Sequence, residues 1–234
     1  MYLAQSHKLN QKWTHALNEG ANIILMRHAP KADSDNSDLS TEGEELAKAY
    51  GYMLDPLTYD LLVNLRLYCT SKGRTANTLK LLFPKSNSEN FIRFPELDAP
   101  KVSNLVQDQC NNLHVNVGHW RGYYLNHTYY FLEKLGGKYD KENIHTVVAE
   151  RMILGIRKLS NHPGQNLYCG HSPTLEVACE HLLNTTLAEL GGFLNPLDSI
   201  HLKMSGNKVE FVARINPIVG YADLESEAYY KISA

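Results

Sequence analysis

Two histidines and two arginines stand out in this chain by where they fall. Arg27-His28-Ala29-Pro30 ends one apolar run, Gly170-His171-Ser172-Pro173 ends another, and Thr70-Ser71-Lys72-Gly73-Arg74-Thr75 follows a third. A neutral imidazole attacks phosphorus directly, whereas a serine hydroxyl must first lose a proton. The transferred phosphoryl group spreads negative charge over its equatorial oxygens, so fixed cations are what it needs most. Arginine suits that need because its planar fork stays charged and bonds oxyanions through two donors at once. A second histidine, protonated in the complex, adds a donor, and an acid must protonate the leaving oxygen. Taken alone, each piece is ordinary: a histidine at a strand end is commonly a surface residue, and an exposed arginine makes weak ion pairs. Arg74, in a first helical turn, even sits at the wrong end of the helix dipole. A bound anion would remove that cost. Together the three motifs point to phosphoryl transfer through histidine.

These residues must be positioned by alternating elements. The apolar runs at residues 22–26, 65–69 and 166–169 read as buried strands, and 91–94 as a further one. Ser40 and the Thr41-x-x-Glu44 capping box start a helix to about residue 53. Residues 74–83 read as a helix stopped by Pro84, and residues 121–135 and 141–159 carry helical periodicity. A helix over 173–183 has proline in its first turn. Residues 200–204 and 208–215 flank Ser205-Gly206-Asn207, a hairpin signal. Strand-helix alternation with a terminal hairpin implies a single α/β domain spanning 1–234, a three-layer α/β/α sandwich with a mostly parallel central sheet. In such sheets ligands sit beyond the C-terminal strand ends, where the motifs fall.

Composition bounds the partners. Lys and Arg number 23 against 25 Asp and Glu, a formal charge of −2, so nothing points to a nucleic acid or an acidic membrane. Hydrophobic residues are 43% and charged residues 21%, which excludes disorder. At 234 residues one core suffices without metal or disulfide staples. No apolar stretch of about 18 residues appears, so no membrane span is expected. The N-terminal residues lack the apolar region of a signal peptide, and Cys69, Cys110, Cys169 and Cys179 lack CxxC spacing. A cytoplasmic protein with reduced thiols is expected, Cys69 and Cys169 being small buried hydrophobes.

The ordered motifs resemble those of the histidine phosphatase superfamily, the phosphoglycerate-mutase-like fold, in its branch 1 type. The hallmark Arg-His-Gly appears as Arg27-His28-Ala29 after Leu25-Met26, and the Leu-Ser/Thr-x-x-Gly helix start as Leu39-Ser40-Thr41-Glu42-Gly43. The Ser-x-x-x-Arg-Thr-x-x-Thr segment appears as Thr70 to Thr78, and the second histidine within Cys169-Gly170-His171-Ser172. The resemblance spans residues 22–185. It implies that His28 is the nucleophile, that Arg27, Arg74, His171 and Ser172 form the phosphate pocket, and that no cofactor or metal is used. It also places the general acid between the second and third motifs, where Glu96 and Asp98 are the candidates. Asp98 directly precedes Ala99, as the acid does in members with a similar stretch, whereas glutamate is the more usual residue type. The implied activity is phosphomonoester hydrolysis of a small phosphorylated metabolite or a phosphoprotein. A mutase-type phosphotransferase and a catalytically weak phosphate-binding module are the alternatives. The Glu-x-x-x-Gly-x-x-Glu-Gly segment of the mutases is absent, which favours the phosphatase. Ala29 departs from the usual glycine, where a methyl group would crowd a backbone close to phosphate.

Other readings of the same residues fare worse. Cys69-x4-Arg74 is one residue short of a thiol-phosphatase loop. Gly170-His171-Ser172-Pro173-Thr174 lacks the last glycine of a nucleophile elbow. His114, His119 and His127 have no i, i+4 pair for a metal. Residues 100–135 form an insert expected to cap the pocket, in which Trp120, Arg121, Tyr123 and Tyr124 either select the substrate or pack a helix. The sequence carries no signal of substrate identity or oligomeric state.

Overall fold

Ile23, Ile24, Leu25 and Met26 are all fully buried, apolar toward both faces, as a central parallel strand requires. They lie in a computed structural model that describes residues 2–32, 38–54, 65–86, 91–94, 97, 141–172, 174–186, 188–216 and 229–230. The elements are α1 (Tyr2–Asn18), β1 (Ile23–Arg27), α2 (Thr41–Met53), β2 (Arg66–Cys69), α3 (Gly73–Leu82) and β3 (Phe91–Arg93). They continue as α4 (Lys141–Ser160), β4 (Asn166–Gly170), α5 (Thr174–Leu183), β5 (Ser199–Ser205), β6 (Lys208–Ile215) and β7 (Tyr229–Tyr230). The sheet order is β3-β2-β4-β1-β5-β6-β7. The first four of these strands are parallel neighbours, and β5, β6 and β7 add to the β1 edge antiparallel. The α/β sandwich expected from the sequence is what forms, with its parallel half at the motif-bearing strands.

Strand parity divides the core in two. Ile23 and Leu25 pack with α4 and α5, through Met152, Ile156, Val177 and Ala178. Ile24 and Met26 pack on the other face with α1, α2 and α3, through Trp13, Ala47, Tyr50 and Leu79. Helix α1 was not anticipated. Its buried Leu9, Trp13, Ala16 and Leu17 follow helical spacing, a stripe visible in the sequence. Ser40 is the α2 N-cap, as its place in the sequence implies, its Oγ accepting from Gly43 N at 3.0 Å; Thr41 is already helical, so the Thr41-x-x-Glu44 pair does not form the cap. The box lacks an acidic partner because Gly43 has no room for one. A Cβ there would lie 2.1 Å from the Pro30 carbonyl oxygen. That close approach sets the path of the chain leaving β1. The hairpin turns at Gly206, whose φ of 59° is the left-handed region that favours glycine. Strand β7 and the start of α3 at Gly73 rather than Arg74 complete the differences. The expected helix at 121–135 lies outside the described residues. Cys69, Cys169 and Cys179 are buried. Among the described residues no helix is long and apolar enough to cross a membrane.

A polar cluster inside the α1 face makes stability depend on pH. Trp13 donates to Tyr50 Oη at 2.8 Å and meets the His201 ring edge-on at 4.6 Å between centroids. His201 Nε2 lies 3.0 Å from Ser199 Oγ, and its Nδ1 has no partner among the described residues. Burial drives its pKa from 6.5 down to about 3. The unfolded chain therefore binds a proton that the folded chain refuses, between those two values. Stability from this group is complete above pH 6.5 and is lost as pH falls toward 3. At pH 5 the loss is about 2 kcal/mol. Urea unfolding at pH 7 and pH 5 checks this: His201→Leu is expected to lose less stability on acidification than the parent. Equal losses would contradict the assignment.

Candidate active site

Register brings the motifs together. Arg27 stands opposite Gly170 in the β1–β4 ladder, and Cys69 opposite Cys169 in the β2–β4 ladder. The next residues, His28, His171 and Thr70, therefore leave three adjacent parallel strands at the same edge. The two histidine rings meet edge-on with centroids 5.0 Å apart.

His28 is nearly closed off, with 8% of its surface exposed. Its Nδ1 lies 2.6 Å from the Ala29 carbonyl oxygen, and Arg74 Nε lies 3.2 Å from its Nε2. A carbonyl only accepts and a guanidinium only donates. Both partners therefore demand one tautomer, with the proton on Nδ1 and the lone pair on Nε2. Burial, with the charges of Arg74, Arg27 and Lys31, lowers the His28 pKa from 6.5 to about 4 despite the opposing bond to Ala29. The imidazole is neutral at physiological pH, with its lone pair facing the guanidinium.

Arg74 serves both rings. Its Nη2 lies 3.4 Å from His171 Nδ1. By the same donor logic His171 carries its proton on Nε2, 3.2 Å from Thr70 Oγ1. Thr70 Oγ1 in turn lies 3.0 Å from Thr75 Oγ1, which donates to the Lys72 carbonyl at 2.8 Å. This hydroxyl chain fixes the loop between β2 and α3, and with it the His171 ring. Thr70 and Thr75 belong to a motif segment whose arginine alone drew attention in the sequence. Thr78, one turn further, donates to the Arg74 carbonyl at 2.8 Å and accepts from Ala29 N at 3.1 Å. It thereby ties α3 to the residue after His28. Ala29 is fully buried in the α1-side core. Its methyl group is packed among apolar side chains.

Arg27 is placed differently from the other three. It continues the parity of Ile23 and Leu25, toward α5, and its Nη1 donates to the Leu194 carbonyl. Its Nε is buried and has no hydrogen-bond partner among the described residues. Burial lowers its pKa, against the attraction of Glu176 and Asp198. Its charge still acts on His28. Ser172, half-buried, lies against the Glu176 carboxyl and lowers its pKa, although burial of that carboxyl prevails and raises it overall. Glu96 and Asp98 lie outside the described residues, as do Cys110, His114, His119, Trp120, Arg121, Tyr123, Tyr124, His127 and Pro173.

No family model and no curated protein matches the chain. Among solved structures it is similar to the phosphoglycerate mutase from Bacillus anthracis str. Sterne, at 15% identity over 80% of this chain and 89% of that one, with a TM-score of 0.47. It is similar to a phosphoserine phosphatase from Entamoeba histolytica, in complex with 3-phosphoglyceric acid, at 10% identity over 77% and 89%, with a TM-score of 0.48. It is also similar to a mycobacterial glucosyl-3-phosphoglycerate phosphatase, at 12% identity over 77% and 88%, with a TM-score of 0.38. Similarity at this level leaves the chemistry to be read from the side chains themselves.

Proposed function

We propose that the chain is a phosphomonoester hydrolase that passes the phosphoryl group through His28. The observation that carries this reading is the His28 tautomer: both partners leave Nε2 unprotonated, under a guanidinium shared with His171. In the proposed reaction Nε2 attacks phosphorus, the N–P bond forms, and the P–O bond to the leaving group breaks. The guanidinium of Arg74 turns its donors from the imidazoles to the phosphoryl oxygens, assisted by His171 and the Arg27 charge. Glu96 or Asp98 is proposed to protonate the leaving oxygen, and Ser172 to contact the phosphate. Water then attacks phosphohistidine, releasing inorganic phosphate and regenerating neutral His28. We further propose residues 100–135 as the cap of a single domain, admitting a small phosphorylated metabolite or a phosphoprotein, with no metal or cofactor taking part.

The test is a panel of phosphomonoesters assayed for phosphate release, with vanadate as inhibitor and with and without an acceptor alcohol. Phosphate release that vanadate blocks is the expected result. Transfer to the acceptor without net release would assign a phosphotransferase, and binding without turnover a phosphate-binding module. Either outcome would displace the hydrolase.

A further inference from the structure

We infer that Glu176 is a positioning residue for the phosphate site, acting through the backbone of Leu194 to aim the Arg27 guanidinium. The inference rests on the hydrolase reading above and adds to it a residue that no sequence motif picked out.

Glu176 lies in the first turn of α5 and is 1% exposed. A carboxylate removed from water is costly unless it is hydrogen-bonded and opposed by a cation. Its Oε1 accepts from Leu194 N at 2.9 Å, while the Leu194 carbonyl accepts from Arg27 Nη1. One residue is thus clamped between the carboxylate and the guanidinium. The attraction between the two charges runs alongside the hydrogen bonds that join them. The same helix start is bound to the other half of the site: His171 O accepts from Thr174 Oγ1 at 2.7 Å and from Leu175 N at 3.2 Å. Glu176 therefore links Arg27 to the turn that carries His171, across the sheet from Arg74.

The segment holding Leu194 is built to keep its shape. Gly191, Gly192 and Leu197 have φ of 80°, 83° and 70°, in the left-handed region. Arg214 collects three carbonyls of this segment, donating to Leu190 and Gly192 at 2.8 Å and to Phe193 at 2.7 Å. Its remaining bond is to Asp198 Oδ2 at 2.7 Å, and that oxygen also accepts from Asn195 N at 2.9 Å. Backbone bonds of 3.0 Å from Arg27 N to Asp198 O and from Leu197 N to Arg27 O close the loop onto β1. Against this frame Arg27 spends Nη1 on Leu194, and its Nε has no partner among the described residues. An oxyanion would take up the spare donor.

The experiment measures inorganic phosphate binding by calorimetry on the full chain and its variants. Glu176→Leu removes the acceptor at similar volume and is expected to weaken phosphate about tenfold, the scale of one charge-assisted hydrogen bond lost. Glu176→Gln still offers an amide oxygen to Leu194 N and is expected to stay within about threefold of the parent. In an Arg27→Met background, Glu176→Leu is expected to add nothing, because the residue it aims is gone. Should Glu176→Leu fail to fold, Glu176→Ala carries the same expectations. If neither folds, a Glu176→Gln loss as large as that of Arg27→Met overturns the inference. Parent-like phosphate binding by Glu176→Leu, or an equal loss with and without Arg27, also overturns it. Those results leave the hydrolase reading intact if the parent binds phosphate and turns over substrate in a His28-dependent way. Absence of both would overturn the two readings together.

Discussion

Replacing His28 with alanine is expected to lower hydrolysis of an aryl phosphate by at least about a thousandfold, the scale on which lost nucleophiles act. The effect is large because the proposed reaction forms its covalent bond to the enzyme at His28 Nε2. His171, 5.0 Å away between ring centroids, also turns its lone pair to Arg74 and is held through Nε2 by Thr70; in the proposed reaction it binds phosphate and does not attack. Binding is expected to survive better than turnover, since Arg27 and Arg74 keep their charges and His171 keeps its donor. The pH profile gives a second check. With a His28 pKa near 4, the neutral base is the dominant form at every pH above that value. The rate is therefore expected to hold from neutral pH down to about 5 and to fall as the imidazole is protonated near 4. Activity within tenfold of the parent in His28→Ala would remove His28 from the reaction.

Loss of Arg74 is expected to be nearly as severe, about a hundredfold to a thousandfold in kcat/KM for Arg74→Ala. This one side chain holds the lone pairs of two imidazoles and supplies the fork for the phosphoryl oxygens. Arg74→Lys is expected to restore little. A lysine ammonium is a point charge on a flexible stem and cannot span Nε2 of His28 and Nδ1 of His171 in one plane. The substitution to alanine also removes one of the cations that depress the His28 pKa, so the acid limb of the rate profile should move to higher pH. A large rate loss with an unmoved acid limb would separate Arg74 from His28. Parent-like turnover by Arg74→Lys would show that charge alone, without the shared fork, is enough.

Much of this site was legible in the sequence because strand ends are legible. Apolar runs closing on Arg27-His28 and Gly170-His171 located the edge of the sheet, and parallel register then placed the two imidazoles side by side. What the sequence hid follows from geometry that no local pattern encodes. Arg27 and His28 are neighbours in the chain, yet strand parity sends Arg27 toward α5 and the Leu194 carbonyl. Glu176 reads as an ordinary helix residue until a segment near residue 194, without periodicity of its own, folds back over it. Ser40 caps α2 without the acidic partner of a capping box, because contact with Pro30 excludes every residue but glycine at position 43. Helix α1 is a different case: its apolar stripe at Leu9, Trp13, Ala16 and Leu17 is a local pattern with helical spacing in the sequence itself.

The most direct measurement of the central claim is a rapid acid-free quench of enzyme turning over labelled phosphomonoester, followed by peptide mapping of the trapped phosphate. The account predicts an acid-labile, alkali-stable phosphoramidate on the peptide containing His28, missing from His28→Ala and sparse in Arg74→Ala. An acid-stable ester on Ser172, or phosphate release with no label on His28, would contradict it.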